Sequence, residues 1–158
     1  MRLQGHGLTA ELPAGWEGAI SLDRDEEAVE LAGIGGTLHP VVHLGSFPLP
    51  ADRGDFGSGA VEVMRDDDMF VALVEYGPDA VGTPLFATGG LPRRVDPRWF
   101  SGASLQRAVP GQVGWQSFFT QGNRAFCLYV VLGAQGDANQ LARRVEAVLA
   151  TIEIEEAR

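Results

Sequence analysis

Two stretches of this chain are apolar on both sides of a strand. Residues 69–76 put Met69, Val71 and Leu73 on one face and Phe70, Ala72, Val74 and Tyr76 on the other. Residues 124–132 repeat the pattern through Phe126, Cys127, Leu128, Tyr129, Val130, Val131 and Leu132. A strand with no polar face must be covered above and below, so both segments are predicted to lie inside one sheet. Further strands are predicted at residues 8–12, 17–22, 39–47 and 112–120. The last joins 124–132 as a hairpin around Gln121, Gly122 and Asn123. Near the end the period changes. Leu141, Val145, Val148 and Leu149 recur at helical spacing, which predicts a helix capped by Asp137 or Asn139 and running to Ala150. Ile152 and Ile154 alternate with charges and predict a closing edge strand over residues 151–155.

Between these elements the pattern weakens. A short helix is predicted at residues 60–64, after the glycines Gly54, Gly57 and Gly59. An acidic loop with Asp23, Asp25, Glu26, Glu27 and Glu30 is opposed only by Arg24. Residues 77–111 have no period and carry Pro78, Pro84, Pro92, Pro97 and Pro110. Within them, Asp96-Pro97 suits the start of one helical turn, because Asp accepts from exposed N–H groups and Pro fits the first helical position. The chain shows no repeat and no linker. At 158 residues and 45% hydrophobic it suits one domain, residues 1–158. The expected fold class is α+β: a mainly antiparallel sheet flanked by helices, in its fullest form an α/β/α sandwich.

Charge narrows the function. The formal net charge is -9, and an acidic chain repels phosphate backbones, so nucleic acid is not an expected partner. The twelve basic residues are all arginine, which excludes a Schiff-base lysine and a P-loop lysine. Cys127 is the only cysteine and reads as a buried hydrophobe, so an intramolecular disulfide and a multi-cysteine metal site are excluded. No segment offers an apolar run for a signal peptide or a membrane span. The expectation is a cytoplasmic domain with no membrane insertion.

Two stretches look familiar. The opening Leu8-Thr9-Ala10-Glu11-Leu12-Pro13-Ala14-Gly15-Trp16 resembles the strand, Leu-Pro-x-Gly-Trp, strand opening of the PsbP-like superfamily. That group includes PsbP, the Ran-binding Mog proteins and the bacterial DcrB-like proteins. The closing hairpin, amphipathic helix and Ile-rich strand, residues 113–155, is similar to its C-terminal half. The resemblance implies an α/β/α sandwich whose members mostly bind other proteins and catalyse nothing. Some DcrB-like members serve as adaptors or chaperones for secreted effectors. Many bacterial members are exported or lipid-anchored, and neither signal is expected here. The superfamily has no catalytic motif, so the resemblance assigns no functional residue.

Few groupings could carry chemistry. His39 and His43 share a strand face four residues apart, too far to hold one metal on an unbent strand. They read as partly exposed histidines. Asp66, Asp67 and Asp68 lack a calcium-loop pattern and read as a solvated turn. The glycines at 54–59 lack a dinucleotide spacing and read as a plain lead-in to a helix. No cofactor is expected. The informative feature is charge asymmetry. Residues 1–90 hold four arginines against fifteen acids, whereas residues 91–124 hold five arginines against Asp96 alone. That basic stretch also carries Trp99 and Phe100. Arginine and tryptophan are enriched at interface hot spots. Arg93, Arg94, Arg98, Trp99, Phe100 and Arg107 are therefore the candidate partner-binding residues, for an acidic protein surface or a second copy of the chain. The competing reading has the aromatics plug the core while the arginines pair within the molecule. The expected function is a non-catalytic protein-binding domain, an adaptor, a chaperone-like protein or a subunit of an assembly. The alternatives are a small hydrolase-like enzyme using His39, His43 or the clustered Asp residues, and a small-molecule-binding domain.

Overall fold

In the computed structural model, which describes residues 1–23 and 39–158, the two doubly apolar segments pair at the middle of the larger sheet. They are β5 (Met69–Tyr76) and β7 (Arg124–Leu132). Around them stand β3 (Glu17–Asp23), β4 (His39–Gly45) and β6 (Val113–Gln121), giving an antiparallel sheet in the order β3-β4-β5-β7-β6. A smaller sheet in the order β1-β2-β8 holds β1 (Arg2–Gly5), β2 (Leu8–Glu11) and β8 (Glu153–Ile154). β1 has no counterpart among the predicted strands. It exists because His6 and Gly7 both take positive φ (51° and 76°), the two-residue turn that folds a hairpin back tightly. Gly122 and Asn123 close the β6–β7 hairpin in the same way, as predicted.

Helix α1 (Ala138–Leu149) buries Leu141, Val145, Val148 and Leu149, the face its period predicts. Asp137 precedes it but forms no side-chain cap. Its backbone (φ -102°, ψ 10°) ends a 3-10 turn and lacks the extended geometry a capping side chain needs. One core lies between α1, the small sheet and one face of the large sheet, and includes Met69, Val71, Leu73, Leu128, Val130, Leu12 and Trp16. The opposite face carries a second cluster around Phe70, Ala72, Tyr129 and Val131.

On that second face the described residues place no α-helix. Among the described residues α1 is the one α-helix, and irregular chain covers the Phe70 face through Phe47, Phe56, Val61, Leu105 and Val109. The predicted helix at residues 60–64 is a single 3-10 turn, Val61–Val63. Gly57 and Gly59 just before it have φ of 87° and 90°, so no longer helix can begin there. Over the described residues the class is α+β, with antiparallel sheets and one short helix. The acidic loop lies outside the described residues beyond Asp23. No helix of the described residues is long and apolar enough to cross a membrane.

Candidate functional site

Residues 91–99 run beside α1, and the chain then bridges to β6 at Ser101 and reaches the Phe70 face at Leu105. Asp96 caps the turn Pro97–Trp99 by accepting from Arg98 N at 2.9 Å, as the Asp-Pro pair predicts. The turn lifts Trp99 onto the surface, where it is 46% exposed. Its ring lies 5.2 Å from that of Trp115 on β6, tilted by 36°, and Phe100 lies 5.9 Å from the same ring. The Arg98 guanidinium grips Asp96 with a fork, Nε to Oδ1 at 3.1 Å and Nη2 to Oδ2 at 2.7 Å. Those hydrogen bonds hold the Asp96 carboxyl below its usual pKa and raise that of Arg98. Both groups stay at the surface. A cavity of about 460 Å³ opens beside them, lined by Arg94, Asp96, Arg98, Trp99 and Glu146 among others.

The predicted site residues thus divide. Arg94, Arg98 and Trp99 form an exposed group. Arg94 is exposed and makes no hydrogen bond or ion pair with any described residue. Arg93 instead donates from Nη1 to the carbonyls of Leu149 and Ile152, at 2.7 and 3.1 Å, and so caps the end of α1. Phe100 is 8% exposed and belongs to the core, the plugging role that was the competing reading. Arg107 pairs with Glu62, away from the Trp99 group. Trp115 and Glu146 were not singled out from sequence. Trp115 sits at a position of β6 that alternates with Val113, and this places it on the helix side. Glu146 accepts from Val95 N at 2.8 Å and ties the loop to α1.

The other candidates are internal. His43 is 4% exposed, not partly exposed as expected. Its Nδ1 accepts from Arg53 Nε at 2.8 Å, which leaves Nε2–H to donate to the Asp55 carbonyl at 2.8 Å. Both ring nitrogens are therefore engaged in holding residues 50–55 on the sheet. Asp68 is also buried, at 5%, because its carboxylate accepts from Ser46 Oγ and Arg65 N. Asp66 and Asp67 are exposed. The glycine stretch spends its N–H groups locally: Gly54 N on Ser58 O, Gly57 N on Gly54 O and Gly59 N on Glu62. Among the described residues no group of His, Cys, Asp and Glu is arranged to hold a metal.

Comparison of the chain with family models, with curated proteins and with solved structures finds no match.

Proposed function

We propose that this chain is a non-catalytic protein-binding domain, an adaptor or a subunit of an assembly, and that its partner docks on the surface around Trp99. The observation that carries the reading is Trp99 itself. A large aromatic ring is held half out of the molecule on a capped turn, backed by Trp115 and flanked by Arg94 and Arg98. A partner that covers it desolvates both the ring and the neighbouring guanidinium groups, and buried pairs of this kind dominate binding where exposed ones contribute only about 0–1 kcal/mol. Arginine fits an acidic partner because its planar fork bonds carboxylates bidentately. The engagement of both His43 ring nitrogens weakens the hydrolase-like alternative.

The PsbP-like resemblance belongs to the same proposal, with its helix-flanked sandwich and its class of protein-binding functions. It rests on the Leu12 to Trp16 motif and the closing hairpin and helix. A cytoplasmic location belongs to it as well, supported by a lone cysteine that is free and buried.

The test is association with an identified partner, or self-association, followed across ionic strength by light scattering. The double variant Arg94→Glu, Arg98→Glu and the single variant Trp99→Ala should each weaken binding by at least about tenfold, a loss of about 1.4 kcal/mol. Their melting temperatures should stay near that of the parent, because exposed positions rarely shift stability by more than about 0.5 kcal/mol. Normal binding by both variants at low and high salt would sink the reading.

A further inference from the structure

The edge of β6 has a gap. Gly114 and Ser101 exchange two main-chain hydrogen bonds of 3.0 Å, and at the other end Thr120 donates to Thr88 O and accepts from Gly90 N, both at 2.9 Å. These bonds point away from β7. β6 pairs with β7 without interruption from Val113 to Gln121, so the even-numbered residues between the two bridges point the same way. They are Gln116 and Phe118. Their N–H and C=O groups bond to no described residue. Four main-chain groups thus stand open between two pegs of the protein's own chain. On one face the gap adjoins Trp115, which carries Trp99. On the other it adjoins Phe118, packed 5.5 Å from the Phe86 ring.

We propose that an extended, acidic peptide segment of a partner protein adds to this edge as a short strand opposite Gln116 and Phe118. The inference rests on the protein-binding reading above and names the conformation and charge of what binds. Open N–H and C=O groups alternating along a strand are matched by another main chain. A second copy of β6 does not fit. It is nine residues long, carries its own bridges, and would meet Ser101 and Gly89 at the ends of the gap. A segment that touches down for about three residues and turns away fits between them. The charge selects acidic side chains, because Arg94 has no partner among the described residues and the exposed Arg98 is shared with the partly buried Asp96. Elsewhere the chain is acidic and repels such a segment.

Amide hydrogen exchange read by NMR tests this directly. In the free protein the Gln116 and Phe118 amides should exchange at least about tenfold faster than that of Ser117, which faces β7. A short acetylated peptide alternating Val with Glu, at millimolar concentration, should slow both amides about tenfold. The Val and Lys version should leave them unchanged, as should the Val and Glu peptide with N-methylated backbone. The change Gln116→Pro removes an outward N–H that the fold does not use, and should reduce peptide binding without lowering the melting temperature. Edge amides as protected as Ser117 in the free protein would overturn the inference. So would edge amides unmoved by the acidic peptide. If the Trp99 indole signal shifts while the edge amides do not, strand addition fails and the protein-binding reading stands. If Trp99→Ala also leaves partner association intact, that reading fails as well.

Discussion

Cys127 shows what burial does to a single side chain. It lies on β7 with no exposed surface, and burial pushes its thiol pKa up to about 12 from 9.0. Tyr76 and Tyr129 on the same side of the sheet are also raised, chiefly by burial. The sign for stability follows from which state holds the proton. Between about pH 9 and 12 the unfolded chain loses the Cys127 proton and the native state keeps it, so stability is full below pH 9 and falls as pH rises, by up to about 1.4 kcal/mol per unit. Chemical denaturation at a series of alkaline pH values should show this slope, and Cys127→Ala should flatten it between about pH 9 and 10. The native thiol should resist a thiol-specific reagent that labels the unfolded chain at once. His43 and Asp68 carry the same lesson from the polar side. Each is buried because neighbours complete its hydrogen bonds, and those neighbours lie ten and 22 residues away in sequence for Arg53 and Ser46.

At the level of elements, the β2–β3 connection hangs on Trp16. Its N–H donates to the Pro13 carbonyl at 3.2 Å, and its ring is buried in the core shared with α1. Gly15 allows the turn with φ of 84°. Replacing a buried aromatic by Ala typically costs about 3–5 kcal/mol, so Trp16→Ala should lower the melting temperature by about 6–20 °C in a scanning calorimeter. A shift of only about a degree or two would mean that the connection does not depend on the ring. The loop from 91 to 107 is organised differently. Its anchors are Leu91, Val95 and Phe100 in the core, with Arg93 on the end of α1. Trp99 is left facing outward on the turn Pro97–Trp99, beside the partly buried Asp96.

For the molecule as a whole, Arg124 joins the two sheets. It begins β7, yet its guanidinium reaches Glu75 at 2.6 Å and the carbonyls of His6, Gly7 and Glu155 at 3.0–3.3 Å. One side chain therefore ties the large sheet to the β1–β2 turn and to the chain after β8. Removing it leaves the Glu75 carboxylate largely enclosed without its cation, which typically costs about 3–5 kcal/mol. Arg124→Met should destabilise by that order in urea unfolding. It should also speed amide exchange at Glu155, whose N–H donates to the Gly7 carbonyl at 2.8 Å at the joint. The double change Arg124→Met, Glu75→Leu should recover part of the loss, because it removes both charges together.

Periodicity alone placed β5, β7, the β6–β7 hairpin and the buried face of α1, because those patterns are local and set by the geometry of strand and helix. The capped turn at Asp96-Pro97 was legible for the same reason: cap and first helical residue are adjacent in sequence. The basic stretch was visible as composition, but its division was not. Arg93, Arg94 and Arg98 look alike in sequence, and only the approach of α1 makes Arg93 a helix cap while Arg94 stays without a partner among the described residues. Likewise Trp115 became part of the site because a loop from another part of the chain laid Trp99 against it. The sorting of strands into two sheets and the gap on β6 belong to tertiary structure too. Sequence pattern says which residues prefer burial, whereas which strand lies next to which is set by contacts between residues far apart in the chain.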